Sequence, residues 1–267
     1  MLLLRTGRRL FRVFWLTLIF TSALYSQTVP EWVLYPPRSA THFYAAGISP
    51  VYLSDSLSFH HARRHALSWL SRQHRVRVVS KLAEAERGAR IRSFGYTVDL
   101  VDSTRYQQCQ RHAMSLDSVL TEKYAFVLMA VSRDLSFPGS PDVMVHSRLI
   151  SLDTLGHSGP DWILNPPERE GMVYGVGVSG TYRNMGDAWT QSARSALGDI
   201  AVNLTLQTSA LRNEYVTSFQ RYYRQWSEDE SGITLEGAVI TERWYDSRNG
   251  LYYTLISCSD NSYVPEE

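Results

Sequence analysis

Three histidines stand close together at His60, His61 and His65, in the run His60-His61-Ala62-Arg63-Arg64-His65. On a helix, His61 and His65 share one face, at the i, i+4 spacing with which a metalloprotease helix presents two imidazoles to zinc. Here the intervening positions are Ala62, Arg63 and Arg64. The glutamate that would serve as base is missing, and two guanidinium groups beside the ligands disfavour a bound cation. The simplest reading is a solvated helix face. A zinc site completed by His42 or His112 stays open, and with it a metal-dependent or other hydrolase.

The other candidates for chemistry are weaker. The chain has no Gly-x-Ser-x-Gly elbow. Gly175-Val176-Gly177-Val178-Ser179-Gly180 lacks the lysine of a phosphate loop and the spacing of a dinucleotide site, so it reads as a glycine-rich strand packed under a helix. Glu228, Asp229 and Glu230 lie in a run near Gly232, the composition of a solvated loop. The two cysteines, Cys109 and Cys258, are too few for a disulfide scaffold. Cys258 lies in an apolar run and reads as a buried thiol, with a bridge to Cys109 as the open alternative. No cofactor or metal set emerges, and the expectation is a protein that is not an enzyme.

Four aromatic residues are candidates for binding a partner: Trp32, Trp162, Tyr222 and Trp226. Tryptophan is over-represented at binding hot spots. A second reading of Trp32 and Trp162 is structural, each ring burying itself to pin an extended lead-in onto its own domain.

These two tryptophans belong to a repeat. Pro30-Glu31-Trp32-Val33-Leu34-Tyr35-Pro36-Pro37 returns as Pro160-Asp161-Trp162-Ile163-Leu164-Asn165-Pro166-Pro167, and 12 of the 38 positions from 30 to 67 are identical 130 residues later. Random pairing would give roughly 2. A period this long implies tandem copies of a domain and not a short-unit solenoid. Each copy opens on the Trp and Pro-Pro segment. A short strand follows at residues 43–49 and 172–179, then an amphipathic helix capped by Ser54 or Asp55 in the first copy. The apolar stripes are Leu57, Ala62, Ala66, Leu67 and Leu70, and then Trp189, Ala193, Ala196, Leu197 and Ile200. Period-2 alternation at Val76 and Val78, and at Val202, Leu204 and Leu206, predicts a strand after each helix. Residues 233–245 and 251–257 flank Asn249-Gly250, a hairpin signal. Residues 94–101 and 124–131 are expected to fill the same roles in the first copy, around a longer polar insert. Residues 143–152 predict an added edge strand. The aromatic segment 209–231 predicts a helix.

The first 26 residues read as an export signal: Arg5, Arg8, Arg9 and Arg12 precede an apolar stretch at 13–24, with Ser26 before the expected cleavage point. That stretch is shorter than the roughly 17–25 residues a membrane-spanning helix needs. An uncleaved anchor is the alternative. Without residues 1–26 the chain holds 23 Lys and Arg against 26 Asp and Glu, a balance that gives no electrostatic case for nucleic acid. No cysteine stands near the cleavage point to carry a lipid anchor.

The Pro-acidic-Trp-(Val/Ile)-Leu-x-Pro-Pro opening, the Tyr-x-x-Gly-x-Ser strand and the helix Ala62-Arg63-Arg64-His65-Ala66 resemble the LPP20-type bacterial envelope proteins. The strand Glu242-Arg243-Trp244-Tyr245-Asp246 and the closing Tyr252-Tyr253 hairpin are similar to that family's end. Related flagellar-associated outer-membrane proteins share the layout. The resemblance implies a small α+β domain, a long helix on an antiparallel sheet, located in the periplasm or at the outer membrane, without known catalysis. The family is typically lipidated and commonly single-copy, and this chain departs on both points. The resulting expectation is an α+β chain of two tandem similar domains: signal peptide 1–26, first copy 27–135, linker 136–157, second copy 158–267. The expected role is assembly or partner binding in the cell envelope, with envelope proteins or a second copy as partner and no transmembrane domain in the mature chain.

Overall fold

Two runs that are apolar almost without interruption become adjacent strands buried on both faces, β2 (His42–Pro50) and β6 (Tyr124–Ser132). A strand with one solvated face would alternate; these do not. The structure, a computed structural model, describes residues 27–87, 90–135, 141, 143–145, 147–155, 158–212, 232–261 and 263–265. Its fold is α+β, with four antiparallel sheets. Helix α1 is a single turn (Glu31–Leu34). The long helices are α2 (Asp55–His74) and α4 (Met185–Arg212), with α3 (Ser103–His112) between them.

In the first half, β5 (Met114–Leu120) completes a sheet of order β2-β6-β5, and α2 lies across it. Ser54 caps α2, its hydroxyl accepting from Leu57 N, and Ala62, Ala66, Leu67 and Leu70 form the buried stripe. In the second half, β8 (Met172–Ser179), β10 (Val239–Asp246) and β11 (Leu251–Ser259) form a sheet of order β10-β11-β8 under α4. Both sheets therefore run from the first strand, through the last, to the penultimate. Both carry a bulge at the same place, between Ser115 and Asp117 in β5 and between Ile240 and Glu242 in β10.

Glycine is obligatory where each helix meets its sheet. A Cβ on Gly47 would lie 1.8 Å from Ala62 O and 2.8 Å from Ala66 N; on Gly177 it would lie 1.8 Å from Ser192 O and 2.3 Å from Ala196 N. These contacts join repeat-equivalent residues in the two halves.

Three expectations from the sequence need correction. Residues 202–207 are not a strand, because α4 runs on to Arg212. Leu197, Ile200 and buried Leu204 continue one helical stripe, and good helix formers there outweigh the apparent alternation. After α2 the expected strand does form: Val76 and Val78 are buried, Arg75 and Arg77 exposed. Second, the partner of β6 in the terminal hairpin is β5 and not residues 94–101. That segment lies in β4 (Arg90–Val101), which pairs with β3 (Val76–Arg87). The polar alternation of β5, with three of its seven residues exposed, disguised an edge strand as an insert. Third, the edge strand foreseen within 143–152 is only β7 (Leu149–Ser151), and it pairs with β1 (Thr28–Pro30) away from the main sheets. The hairpin at Asn249-Gly250 is present, with Gly250 at φ 65°. Most of the helix expected at 209–231 and the signal segment 1–26 lie outside the described residues.

The halves are not separate bodies. The fourth sheet, β12-β9-β3-β4, takes β3 and β4 from the first half and β9 (Gly232–Leu235) and β12 (Tyr263–Pro265) from the second, with Val76 opposite Leu235 and Val78 opposite Ile233. On the face of the first sheet away from α2, Tyr44, Ile48, Phe126 and Leu128 share one buried cluster with Met185, Ala188 and Trp189 of α4 and with Trp32, Val33 and Leu34. No described helix is long and apolar enough to cross a membrane.

Candidate functional site

Where the N-terminal turns of α4 meet the open edge of β2, the halves leave a cleft of about 400 Å³. Tyr52, His61, His65 and Arg72 line it from the first half, Asp187, Thr190 and Arg194 from the second. The sequence's candidate histidines are therefore brought to one place, but in different roles.

His65 is a strut. Its Nδ1 lies 3.0 Å from Ile48 N and 3.1 Å from Ile48 O, and its Nε2 lies 2.9 Å from Thr190 Oγ1 and 3.1 Å from Trp69 Nε1. With the proton on Nε2, the ring donates to Thr190 and accepts from Ile48 N–H. With the proton on Nδ1, it donates to Ile48 O and accepts from the Trp69 indole. Either tautomer engages both nitrogens, leaving no lone pair for a metal or a substrate proton. Burial, then the positive charges of Arg243, Arg72 and Arg194, push its pKa down to about 3, so the ring is neutral at ordinary pH.

His61 is half-buried at the mouth, its ring 4.7 Å from that of Tyr52, and His60 is exposed. The expected solvated face thus holds for His60, Arg63 and Arg64 and fails for His65, which turns inward onto α4. His42 is buried at the opposite end of β2, with Nδ1 2.9 Å from Thr41 Oγ1. His112 ends α3, and neither lines the cleft. Among the described residues, no three His, Cys, Asp or Glu side chains gather as a metal cage.

Two of the four aromatic candidates are described. Trp32 is 3% exposed and its indole donates to Asp117 Oδ2 at 2.8 Å; Trp162 is 7% exposed. Both rings lie inside the protein. Tyr222 and Trp226 fall outside the described residues. Cys109 and Cys258 are free and buried, and burial raises both thiols to about 12, so neither is a nucleophile at neutral pH.

Sequence reasoning overlooked the arginines. Arg72 is buried beneath the cleft with its guanidinium 4.9 Å from the Trp69 ring centroid. Arg243 is 2% exposed, donates to Val33 O at 3.1 Å, faces the Trp189 ring at 5.7 Å, and has no carboxylate partner among the described residues. Its pKa falls to about 10 through burial alone. Removing the donor leaves the buried Val33 carbonyl without its partner. Arg243→Met is accordingly expected to lower the urea-unfolding free energy by about 1–3 kcal/mol. An unchanged or raised value would show that desolvating the guanidinium costs as much as its bond and ring contact return.

Helix side chains also serve the open hydrogen-bonding edges of the first strands. Gln73 Nε2 donates to Tyr44 O at 2.8 Å, and Asp199 Oδ2 accepts from Val176 N at 3.0 Å. Burial raises the Asp199 pKa, and the Val176 bond pulls it back. The geometry as a whole positions groups for cohesion between the halves. Set against known proteins, the chain matches no family model, no curated protein and no solved structure.

Proposed function

We propose that this chain is a non-enzymatic, exported cell-envelope protein with an assembly role, built from two tandem LPP20-like domains, residues 27–135 and 158–267, joined by a linker at 136–157. It acts in the periplasm or at the outer membrane, and its partners are envelope proteins or further copies of itself. The observation that carries this reading is His65. The one histidine pair at ligand spacing is divided, with His65 holding β2 to α4 through both ring nitrogens. A residue spent on cohesion in this way supports an architectural role over hydrolysis. The shared strand order, the matched bulges and the equivalent Gly47 and Gly177 contacts support two copies of one domain.

The test pairs metal analysis with cross-linking in envelope fractions of the native host. The chain is expected to hold no stoichiometric zinc and to be recovered in a discrete larger species. His61→Ala should lower stability by no more than about 1 kcal/mol, because its half-buried ring meets only the exposed Tyr52 ring and the neighbouring His60 ring. Zinc bound one to one and lost in both His61→Ala and His65→Ala would overturn the reading in favour of a metal-dependent hydrolase. Recovery of only a freely soluble monomer would remove the assembly role.

A further inference from the structure

The cleft between the halves gathers positive charge. Arg72, on its first-half wall, is 6% exposed, lies against the Trp69 ring and donates from Nη1 to Ser68 O at 3.1 Å. These contacts fix where the guanidinium sits. Arg194 lines the same cleft from α4 and is half-buried. The charges of Arg243, Arg72 and Arg194 all bear on His65, and after burial they are the main reason its pKa is low. Like charges crowded into a partly desolvated space repel one another, and an anion placed among them turns that repulsion into attraction. The N-terminal end of α4 adds to the field, because Asn184, Gly186 and Thr190 also line the cleft and the helix runs on for 28 residues.

The same wall shows what the anion would carry. Among the described residues that line the cleft, Asp187 is the one carboxylate; it is exposed, and the Asn184 amide donates to its Oδ2 at 2.7 Å. A carboxylate beside an anion site repels a bare ion but accepts well from hydroxyl groups. The space, about 400 Å³, is of the size that takes a small organic molecule. Planar guanidinium forks match the oxygens of a phosphate, and two of them with a helix end suit its second negative charge better than a singly charged carboxylate.

We propose that this cleft binds a small phosphorylated polyol or sugar, with the phosphate held by Arg72 and Arg194 and the hydroxyls turned toward Asp187 and Asn184. The site needs the junction of the two halves and no partner protein, so it stands or falls separately from the assembly role.

The test is titration calorimetry on the full chain with glycerol phosphate, inorganic phosphate and glycerol. Glycerol phosphate should bind, inorganic phosphate should bind more weakly, and glycerol should give no heat. Arg194→Gln should weaken glycerol phosphate by at least about tenfold. Asp187→Asn, at an exposed position that leaves the fold intact, should tighten inorganic phosphate by relieving repulsion. The opposite signs separate a charge effect from a general loss of structure. Phosphatidylcholine vesicles carrying phosphatidic acid present the same group on a bilayer. Their displacing glycerol phosphate would support the site and assign the phosphate to a lipid headgroup; no displacement would support it with a soluble ligand. Absence of heat from both phosphate compounds up to millimolar concentration would overturn the proposal. So would parent-like affinity in Arg194→Gln, or weaker phosphate binding in Asp187→Asn.

Discussion

Gly177→Ala is expected to destabilise the fold by about 3 kcal/mol or more, and Gly47→Ala by a similar amount. The new methyl would sit 1.8 Å from Ser192 O in one case and 1.8 Å from Ala62 O in the other. Those atoms belong to helix backbone, so no side-chain rotation relieves the clash. Relief requires the whole helix to lift from its sheet, opening space beneath Ala196 or Ala66 that nothing fills. Gly180→Ala is the control. Nothing lies within 4 Å of a Cβ there, and its φ is outside the left-handed region. That change should be neutral or stabilise by up to about 1 kcal/mol through the unfolded chain. Urea midpoints of the three variants provide the comparison. Losses below about 1 kcal/mol at both Gly47 and Gly177 would mean that the helices are not seated where the repeat places them.

Acid is expected to weaken the protein well before its carboxylates are protonated. In the folded chain His65 titrates near 3 and His74 near 4, both held down chiefly by burial. In the unfolded chain both titrate at about 6.5. Between these values the unfolded state binds the extra protons, so stability is fully present above about pH 6.5 and falls as pH drops toward the folded values. For His65 alone the loss is on the order of 4 kcal/mol by about pH 3, and roughly half of that by about pH 4.5. Asp199 works in the opposite sense, because burial raises its pKa in the folded state. Urea midpoints at a series of pH values measure the slope, and His65→Gln should flatten it even if the variant starts less stable. Equal midpoints at about pH 7 and about pH 5 would contradict the half-buried, neutral ring.

What the sequence reveals follows from which constraints are local. Gly47 and Gly177, and Ala66 and Ala196, recur because a helix backbone seated on a strand excludes side chains at those points in both halves. The hairpin at Asn249-Gly250 was readable because a positive φ demands glycine at the turn. His65 was not readable, because its neighbours Arg63 and Arg64 belong on a solvated face. Its Nε2 meets Thr190 of α4, more than a hundred residues away, and its Nδ1 meets Ile48 of β2. Arg243 was hidden by the bulge between Ile240 and Glu242, which breaks the alternation from which its side would be read. The pairing of β3 with β9 joins segments far apart in the chain, and no local pattern carries that register. The fold within each half was therefore largely legible, and the junction between them was not. The candidate site belongs to the junction.

Native-state hydrogen exchange on the amides of β6 and β11, the central strands of the two main sheets, tests most directly whether the halves form one unit. Because β3 pairs with β9 and the buried clusters span both halves, the slowest amides of both strands should open with the same free energy and the same denaturant dependence. Opening of one set at a free energy lower by about 2 kcal/mol or more would contradict the account, leaving two independent domains that only touch.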